Sequence, residues 1–174
     1  ALRLSRAMTY KATMVEMPYG GAKGVIVGDP GRDKTRAVLM TYAKAVDRLG
    51  GRFFTGCDMG IEPRDLMVMR RHTKHLSHAN EDSPVDTSYL AGLGVFEGIA
   101  AAAAILGREL RGLIVAIQGV GAVGYQVARL LAEHGAHVVV ADPDPGRTRR
   151  ANLMLEAQVV EPEAIYDVDA DVFS

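Results

Sequence analysis

The spacing of apolar residues predicts alternating helices and strands along the whole chain. Apolar positions three and four residues apart indicate helices, and short β-branched or apolar runs between glycines and prolines indicate strands. For the first half we predict helices at 1–17 and 33–49, strands at 25–27 and 52–55, and a helix at 62–71. Asp33 is the predicted N-cap of the second helix, and glycines at positions 50 and 51 end it.

The alternation of predicted helices and strands is clearer in the second half of the chain than in the first. We predict helices at 93–106, at 122–134 and from about 147, and strands at 113–117 and 136–141, with another strand beginning near 171. Residues 113–117 form a continuous apolar run, which is typical of a strand buried on both faces of a parallel sheet. The βαβα order predicts right-handed crossovers in an α/β fold. A doubly wound dinucleotide fold has two βαβαβ halves, and this chain is expected to carry only the first.

A polar stretch from His72 to Asp86 separates the two patterns. We therefore predict part of an α/β substrate domain at 1–82, followed by the first half of a Rossmann domain at 83–174. No capping residue precedes the first helix and a strand is starting at the other end, so both ends are expected to lie within a longer protein.

Composition narrows the function classes. The chain has 174 residues, 48% of them hydrophobic and 24% charged, and a net charge of −1 without a basic cluster, so nucleic acid and anionic membranes are not expected partners. The longest apolar run, near 99–106, is far shorter than the roughly 20 residues of a membrane span. The single cysteine excludes an internal disulfide, and a cytoplasmic location is expected.

A glycine motif follows the predicted strand 113–117 and opens the next helix. Its residues are Gly119, Val120, Gly121, Ala122, Val123 and Gly124. The glycines permit a tight turn, close approach of a pyrophosphate and packing of helix on strand, while the helix N-terminus offers N–H donors to an anion. Asp142, at the end of the next strand, is placed to accept hydrogen bonds from the adenosine ribose. This order predicts NAD as cofactor, with a glycine-rich turn in an unrelated α/β protein as the alternative.

Two lysines and an aspartate are candidate catalytic or binding residues in the first half. Lys23 lies between glycines and before a predicted buried strand, where desolvation is expected to lower its pKa. Asp58 follows the predicted strand 52–55, at the sheet edge where ligands bind in α/β proteins. Lys11, alone, is most simply a solvated surface residue. Without further information, these residue types and positions only suggest a catalytic or binding role.

Several ordered motifs together resemble the amino-acid dehydrogenases that act on leucine, phenylalanine, valine or glutamate. The motifs lie at 1–11, 20–24, 28–30, 51–55, 57–60 and 118–124, and together they span nearly the whole chain. Lys23 lies 12 residues after Lys11 and 35 before Asp58, a spacing that resembles the leucine dehydrogenase branch.

The resemblance implies a role for each matching residue. Lys11 pairs with the substrate α-carboxylate, and Gly20 and Gly21 let the chain pass close to the substrate. Lys23, neutral, activates the water that attacks the imino carbon, and Asp58 exchanges protons with the departing amino group. The implied reaction is oxidative deamination of an L-amino acid, branched-chain or aromatic rather than glutamate, to a 2-oxo acid and ammonium with reduction of NAD. A homo-oligomer is expected for the full-length protein.

One position departs from the family pattern. Members usually carry a threonine that helps seat the nicotinamide, and Ala91 stands at the matching position, with Thr87 or Ser88 as possible substitutes. This departure keeps open a non-catalytic NAD-binding regulatory paralogue. A third alternative, a hydroxy-acid oxidoreductase, commonly needs a histidine base, and no histidine neighbours Lys23 or Asp58 in the sequence.

Two further features are assigned to structure rather than chemistry. His72, His75 and His78 are three residues apart, but no nearby pair of carboxylates or cysteines completes a metal site, so no metal is expected. Cys57 is expected to be a small buried hydrophobic residue rather than a nucleophile, because no histidine base is near it in the sequence.

Overall fold

The chain divides into two compact units, Ala1–Val85 and Asp86–Ser174. The computed structural model describes residues 1–77 and 86–174. The predicted junction between 82 and 83 lies outside the described residues and stays a prediction.

Three helices dominate the first unit. They are α1 at Leu2–Met14, α2 at Arg36–Arg48 and α3 at Pro63–Met69. The small core of this unit lies between α2 and α3 and consists of Leu39, Ala43, Leu66 and Met69. A partly buried ion pair, Lys34 Nζ to Asp65 Oδ2 at 2.7 Å, joins the segment before α2 to α3.

Asp65 is charged in spite of its burial. Desolvation alone raises the pKa of this carboxyl, but the Glu62 N–H and the Lys34 ammonium both bind the carboxylate and outweigh that effect. The pKa is therefore lowered from its ordinary value. The ion pair fixes the loop that leads into α2 against the start of α3.

The N-cap predicted at Asp33 is wrong by two residues. Thr35 caps α2, with its side chain accepting from the Val38 N–H at 3.3 Å. The Asp33 carboxylate instead accepts from the Asp29 N–H and pairs with Arg32. Asp33 thus closes the turn ahead of the helix, which leaves the next hydroxyl-bearing residue to start it.

The two strands predicted in the first unit are not formed as strands in the described structure. Residues 25–27 are irregular, and Val27 is 96% exposed. In the segment 52–55 only Thr55 pairs, through a parallel bridge to Leu76. A β-branched run becomes a strand only when another segment supplies the ladder of hydrogen bonds, which local sequence does not reveal.

The second unit is an α/β layer structure with a parallel sheet. Its helices are α4 at Thr87–Ile105, α5 at Ala122–Glu133 and α6 at Pro145–Leu155; its strands are β1 at Ile114–Gln118, β2 at His137–Ala141, β3 at Gln158–Val159 and β4 at Val172–Phe173. A 3-10 helix at Glu163–Asp167 precedes β4. The strand order is β3-β2-β1-β4, which is the first part of the order of a Rossmann fold.

The predicted elements of this unit are confirmed, with shifts at some of their ends. α4 begins at Thr87 and not at 93, because the Asp86 carboxylate accepts from the N–H groups of Ser88 and Tyr89. The short β3 and the 3-10 helix were not predicted. Both faces of the sheet are covered: Val115, Ile117 and Val140 belong to the larger cluster that includes α5, and Ala116 contacts the cluster around Ile165.

α4 is long and apolar enough to cross a membrane when judged by length and composition alone, with a mean hydropathy of 1.5. The sequence prediction missed this because it started the helix later. Core helices of soluble proteins meet the same criterion, and α4 packs on α5 with four buried residues, Gly92, Phe96, Ile99 and Ala103, although only 22% of its apolar window is buried. The absence of a membrane partner stays a prediction.

Candidate functional site

The glycine loop 20–24 is pressed against α1 in the first unit. Gly21 donates its N–H to Thr9 Oγ1 at 3.0 Å. A Cβ added at Gly21 would lie 2.0 Å from the Thr9 backbone nitrogen, so any larger residue would displace the loop. Gly20 has nothing within 4 Å of an added Cβ and faces open space. The loop therefore has one side fixed on the helix and one side free to meet a ligand.

Tyr42 holds the other end of this loop. An added Cβ at Gly24 would lie 1.9 Å from the Tyr42 hydroxyl, and the same hydroxyl is 3.0 Å from Thr55 Oγ1. Tyr42 thus links the loop to the segment that leads to Asp58. Sequence reasoning missed Thr9 and Tyr42 as supporting residues. Their position on helix faces was the only signal, and it did not reveal what they contact.

Lys23 and Asp58 are brought together. The Lys23 ammonium forms an ion pair and hydrogen bond with Asp58 Oδ2, and the two side chains are 28% and 49% exposed. Asp58 Oδ1 accepts from the Met59 N–H at 2.7 Å. The Asp58 backbone is closed in a turn with Ile61 by two hydrogen bonds. The predicted desolvation of Lys23 is not found, because residues 25–27 form no buried strand and the lysine is partly exposed and paired with a carboxylate. A proton can pass directly between the two side chains, within reach of solvent.

Lys11 lies in the last turn of α1 and is exposed. It is two residues after Thr9, which receives the glycine loop, so it lies on the same end of the helix as the loop contact. A cation in the last turn also complements the negative end of the helix dipole. Lys11 is thus free to bind an anion.

The prediction that Cys57 is a buried hydrophobic residue is wrong, because Cys57 is exposed in the turn that leads to Asp58. Partial desolvation by neighbouring atoms still raises the pKa of the Cys57 thiol, and the carboxylates of Asp65 and Glu62 raise it further, so the thiol is a poor nucleophile at neutral pH. His75 packs edge-on against Phe54, with ring centres 5.3 Å apart. His78 lies outside the described residues. In the described ranges 1–77 and 86–174, no group of three His, Cys, Asp or Glu residues is arranged to hold a metal ion.

The second glycine loop connects β1 to α5. Gly119 has φ of 93°, a left-handed conformation that favours glycine, and its N–H donates to Ala141 O at 2.8 Å. An added Cβ at Gly124 would lie 1.9 Å from the Gly119 carbonyl oxygen. No side chain in the described part of the chain caps the N-terminus of α5 at Gly121. The Gly119 N–H is thus occupied, and the N–H groups in the first turn of α5 are the donors left in this cradle, residues 119–124, to bind an anion such as a pyrophosphate.

Asp142 directly follows β2, lies beside this loop and is almost fully buried. Its Oδ2 accepts from the Val120 N–H and its Oδ1 from the Asp144 N–H, both at 2.9 Å. The carboxylate therefore fastens the glycine loop to the end of β2. Gly119, Asp142 and the end of β4 all lie at the carboxyl edge of the sheet, where the strand order reverses between β1 and β4, and ligands of open α/β sheets bind at such an edge.

The position expected to seat the nicotinamide lies near the start of α4. Thr87 and Ser88 are in its first turn, and Ala91 is exposed one turn later. Asp86, as N-cap, accepts from the Ser88 N–H at 2.9 Å. Two hydroxyl groups therefore precede the alanine.

Comparison with known proteins defines first the class and then the family. Residues 1–75 match the family model of the Glu/Leu/Phe/Val dehydrogenase dimerisation domain, and residues 67–174 match the NAD-binding domain of D-isomer specific 2-hydroxyacid dehydrogenases. The second unit is thus an NAD-binding Rossmann domain preceded by a dehydrogenase-type α/β unit. The chain belongs to the glutamate, leucine, phenylalanine and valine dehydrogenase family.

The relatives match the whole chain. An L-tryptophan dehydrogenase from Nostoc punctiforme is 42% identical over 176 residues, covering 100% of this chain and 49% of the relative. A phenylalanine dehydrogenase from Thermoactinomyces intermedius is 38% identical over 179 residues (99% and 49%), and a leucine dehydrogenase from Geobacillus stearothermophilus is 36% identical over 178 residues (100% and 48%). The chain spans about half the length of these relatives.

Two solved structures agree with the fold. The crystal structure of L-tryptophan dehydrogenase from Nostoc punctiforme aligns with a TM-score of 0.68 at 39% identity, covering 100% of this chain and 49% of that one. A hetero-hexameric glutamate dehydrogenase from Thermus thermophilus, in a leucine-bound form, aligns with a TM-score of 0.70 at 25% identity, covering 98% and 48%.

Proposed function

We propose that this chain carries the catalytic residues and part of the cofactor site of an NAD-dependent amino-acid dehydrogenase. The reaction converts an L-amino acid, NAD⁺ and water into a 2-oxo acid, ammonium, NADH and a proton. The observation that carries this proposal is the Lys23–Asp58 pair beside the glycine loop, because it supplies an acid and a base in direct contact. A module that only bound NAD has no need of that pair.

The substrate carboxylate is assigned to Lys11. The exposed ammonium lies in the last turn of α1, the helix against which Gly21 is fixed. A lysine binds a carboxylate as a point charge on a flexible stem, which orients the amino acid without further chemistry. Gly20 presents backbone and no side chain toward open space, which lets the substrate approach the chain closely.

The chemical steps are assigned to Lys23 and Asp58. Lys23 first passes its ammonium proton to the Asp58 carboxylate that it contacts, then takes a proton from the water that adds to the imino carbon and holds the hydroxyl of the resulting carbinolamine. Asp58 exchanges protons with the amino group while that group leaves as ammonia. The direct contact between the two groups allows the proton to be passed on without an intervening water.

The cofactor is assigned to the second unit. The N–H groups in the first turn of α5, between Gly121 and Gly124, hold the pyrophosphate, Gly119 supplies the turn, and Asp142 keeps the loop in place. Val120, Ala122 and Val123 supply the remaining backbone of the cradle. Bound NAD supplies the hydride acceptor. Thr87 and Ser88 are the candidate replacements for the hydroxyl that Ala91 lacks.

The substrate class is assigned to apolar side chains. The curated relatives named above act, by their names, on tryptophan, phenylalanine and leucine. We infer the same preference here over glutamate. We also infer a homo-oligomer for the full-length protein, since the first unit matches a domain described as a dimerisation domain. We also propose a cytoplasmic location, because the single cysteine fits a reducing compartment.

The proposal is tested by measuring NADH formation by the full-length protein with L-leucine, L-phenylalanine, L-tryptophan and L-glutamate. The corresponding 2-hydroxy acids serve as a matched control. Turnover with an apolar amino acid, and the reverse reaction with its 2-oxo acid and ammonium, is the expected result. Turnover only with hydroxy acids would contradict it, and NAD binding without any turnover would favour the regulatory paralogue.

A further inference from the structure

The guanidinium of Arg147 lies over the dinucleotide loop. Arg147 is in the first turns of α6, and its side chain is 54% exposed. Its Nη1 lies 3.6 Å from Asp142 Oδ2, and its Nε lies 3.4 Å from Asp144 Oδ2. An added Cβ at Gly121 would be 3.5 Å from the same Nη1. The cation is therefore held between two carboxylates, directly beside the backbone of the cradle.

The Asp142 carboxylate is barely accessible beside Arg147. Its side chain is 3% exposed, and each oxygen already accepts a backbone N–H. An acid at the end of the second strand is expected to bind the ribose hydroxyls and to repel a 2′-phosphate. Here the adjacent guanidinium offsets that repulsion, and it is the more exposed of the two groups.

We propose that Arg147 meets the substituent on the 2′ position of the adenosine ribose and sets how strongly the protein discriminates between NAD and NADP. This inference rests on the proposed dinucleotide site. A guanidinium binds a phosphate through parallel, charge-assisted hydrogen bonds, whereas a ribose hydroxyl gains little from it. Arg147 therefore lowers the preference for NAD that an unpartnered acid at position 142 imposes.

Two neighbouring arginines do not share this position. Arg150 lies on the ring of Tyr125, with its guanidinium carbon 4.0 Å from the ring centre. Arg149 is exposed on the same helix, two residues after Arg147. Arg149→Gln therefore removes the same charge from the same helix and serves as the matched control.

The test measures dissociation constants of NADH and NADPH by fluorescence titration on the full-length protein, without turnover. Arg147→Gln is expected to weaken NADPH about tenfold or more, the value of one or two charge-assisted hydrogen bonds, and to change NADH less than about twofold. Arg147→Lys should retain part of the NADPH affinity, and Arg149→Gln should leave both constants unchanged. Thermal melting of each variant confirms that it is folded.

Three outcomes would overturn the inference. One is an equal weakening of NADH and NADPH by Arg147→Gln, and another is a loss of NADPH affinity in Arg149→Gln that matches the loss in Arg147→Gln. The third is a wild type that binds NADH but neither NADPH nor adenosine 2′,5′-bisphosphate. A wild type that binds no dinucleotide at all would instead remove the proposed function on which the inference rests.

Discussion

Asp58 is positioned by its backbone rather than by burial. The turn closed with Ile61 fixes its main chain, the Met59 N–H fixes one carboxylate oxygen, and the other oxygen faces Lys23. Half of the side chain remains exposed, so the group can exchange protons with substrate or water. These are the properties expected of a proton-transfer residue rather than of a structural ion pair.

We expect Asp58→Asn to lower kcat by about a hundredfold or more, because the amide keeps the shape and the Met59 contact but cannot take up a proton. NADH affinity should stay at the wild-type value. The pH–rate profile should lose one of its limbs. A variant with the wild-type profile would show that Asp58 only holds Lys23 in place.

The position of Asp142 was predicted correctly from the glycine motif, but its hydrogen bonds were not. The sequence placed an acid at the end of the second nucleotide strand, and the structure has it there. Its two backbone contacts depend on how the glycine loop turns back on β2, which the motif does not specify. Binding of the ribose by Asp142 stays a proposal, while its bracing of the loop is observed.

At the scale of elements, the second unit was predicted well because its signals are local. A continuous apolar run, a glycine motif and a capped helix each lie within a few residues, and β1, α5 and β2 formed within one residue of their expected positions. The strands at 25–27 and 52–55 depend on pairing with distant segments. Only Thr55 has such a partner in the described residues, at Leu76.

The contact between α5 and its loop gives a prediction at this scale. Gly124→Ala places a Cβ 1.9 Å from the Gly119 carbonyl, so we expect weaker NADH binding and a lower melting temperature. Gly98→Ala is the matched control, since Gly98 lies within α4 and an added Cβ has nothing within 4 Å. It should stabilise the protein by about 0.5–1 kcal/mol through helix propensity. Unchanged NADH affinity in Gly124→Ala would contradict the cradle described above.

At the scale of the whole molecule, the chain combines two tasks in two units. The first unit carries Lys11, Lys23 and Asp58, and the second carries the glycine loop and Asp142. The sequence named these residues, and the resemblance to the family suggested their roles. The sequence could not reveal that Lys23 contacts Asp58. The two residues are 35 positions apart and meet only because the glycine loop packs on α1 and α2.

The central claim is that Lys23 carries out the chemistry and Lys11 binds the substrate, and comparing variants of the two lysines tests it most directly. The measurement is kcat and KM for the preferred L-amino acid on Lys23→Ala and Lys11→Ala in the full-length protein. If Lys23 performs the chemistry and Lys11 binds the carboxylate, Lys23→Ala loses about a thousandfold or more in kcat, while Lys11→Ala mainly raises KM. Near-normal kcat in Lys23→Ala, with NADH binding intact, would contradict the account.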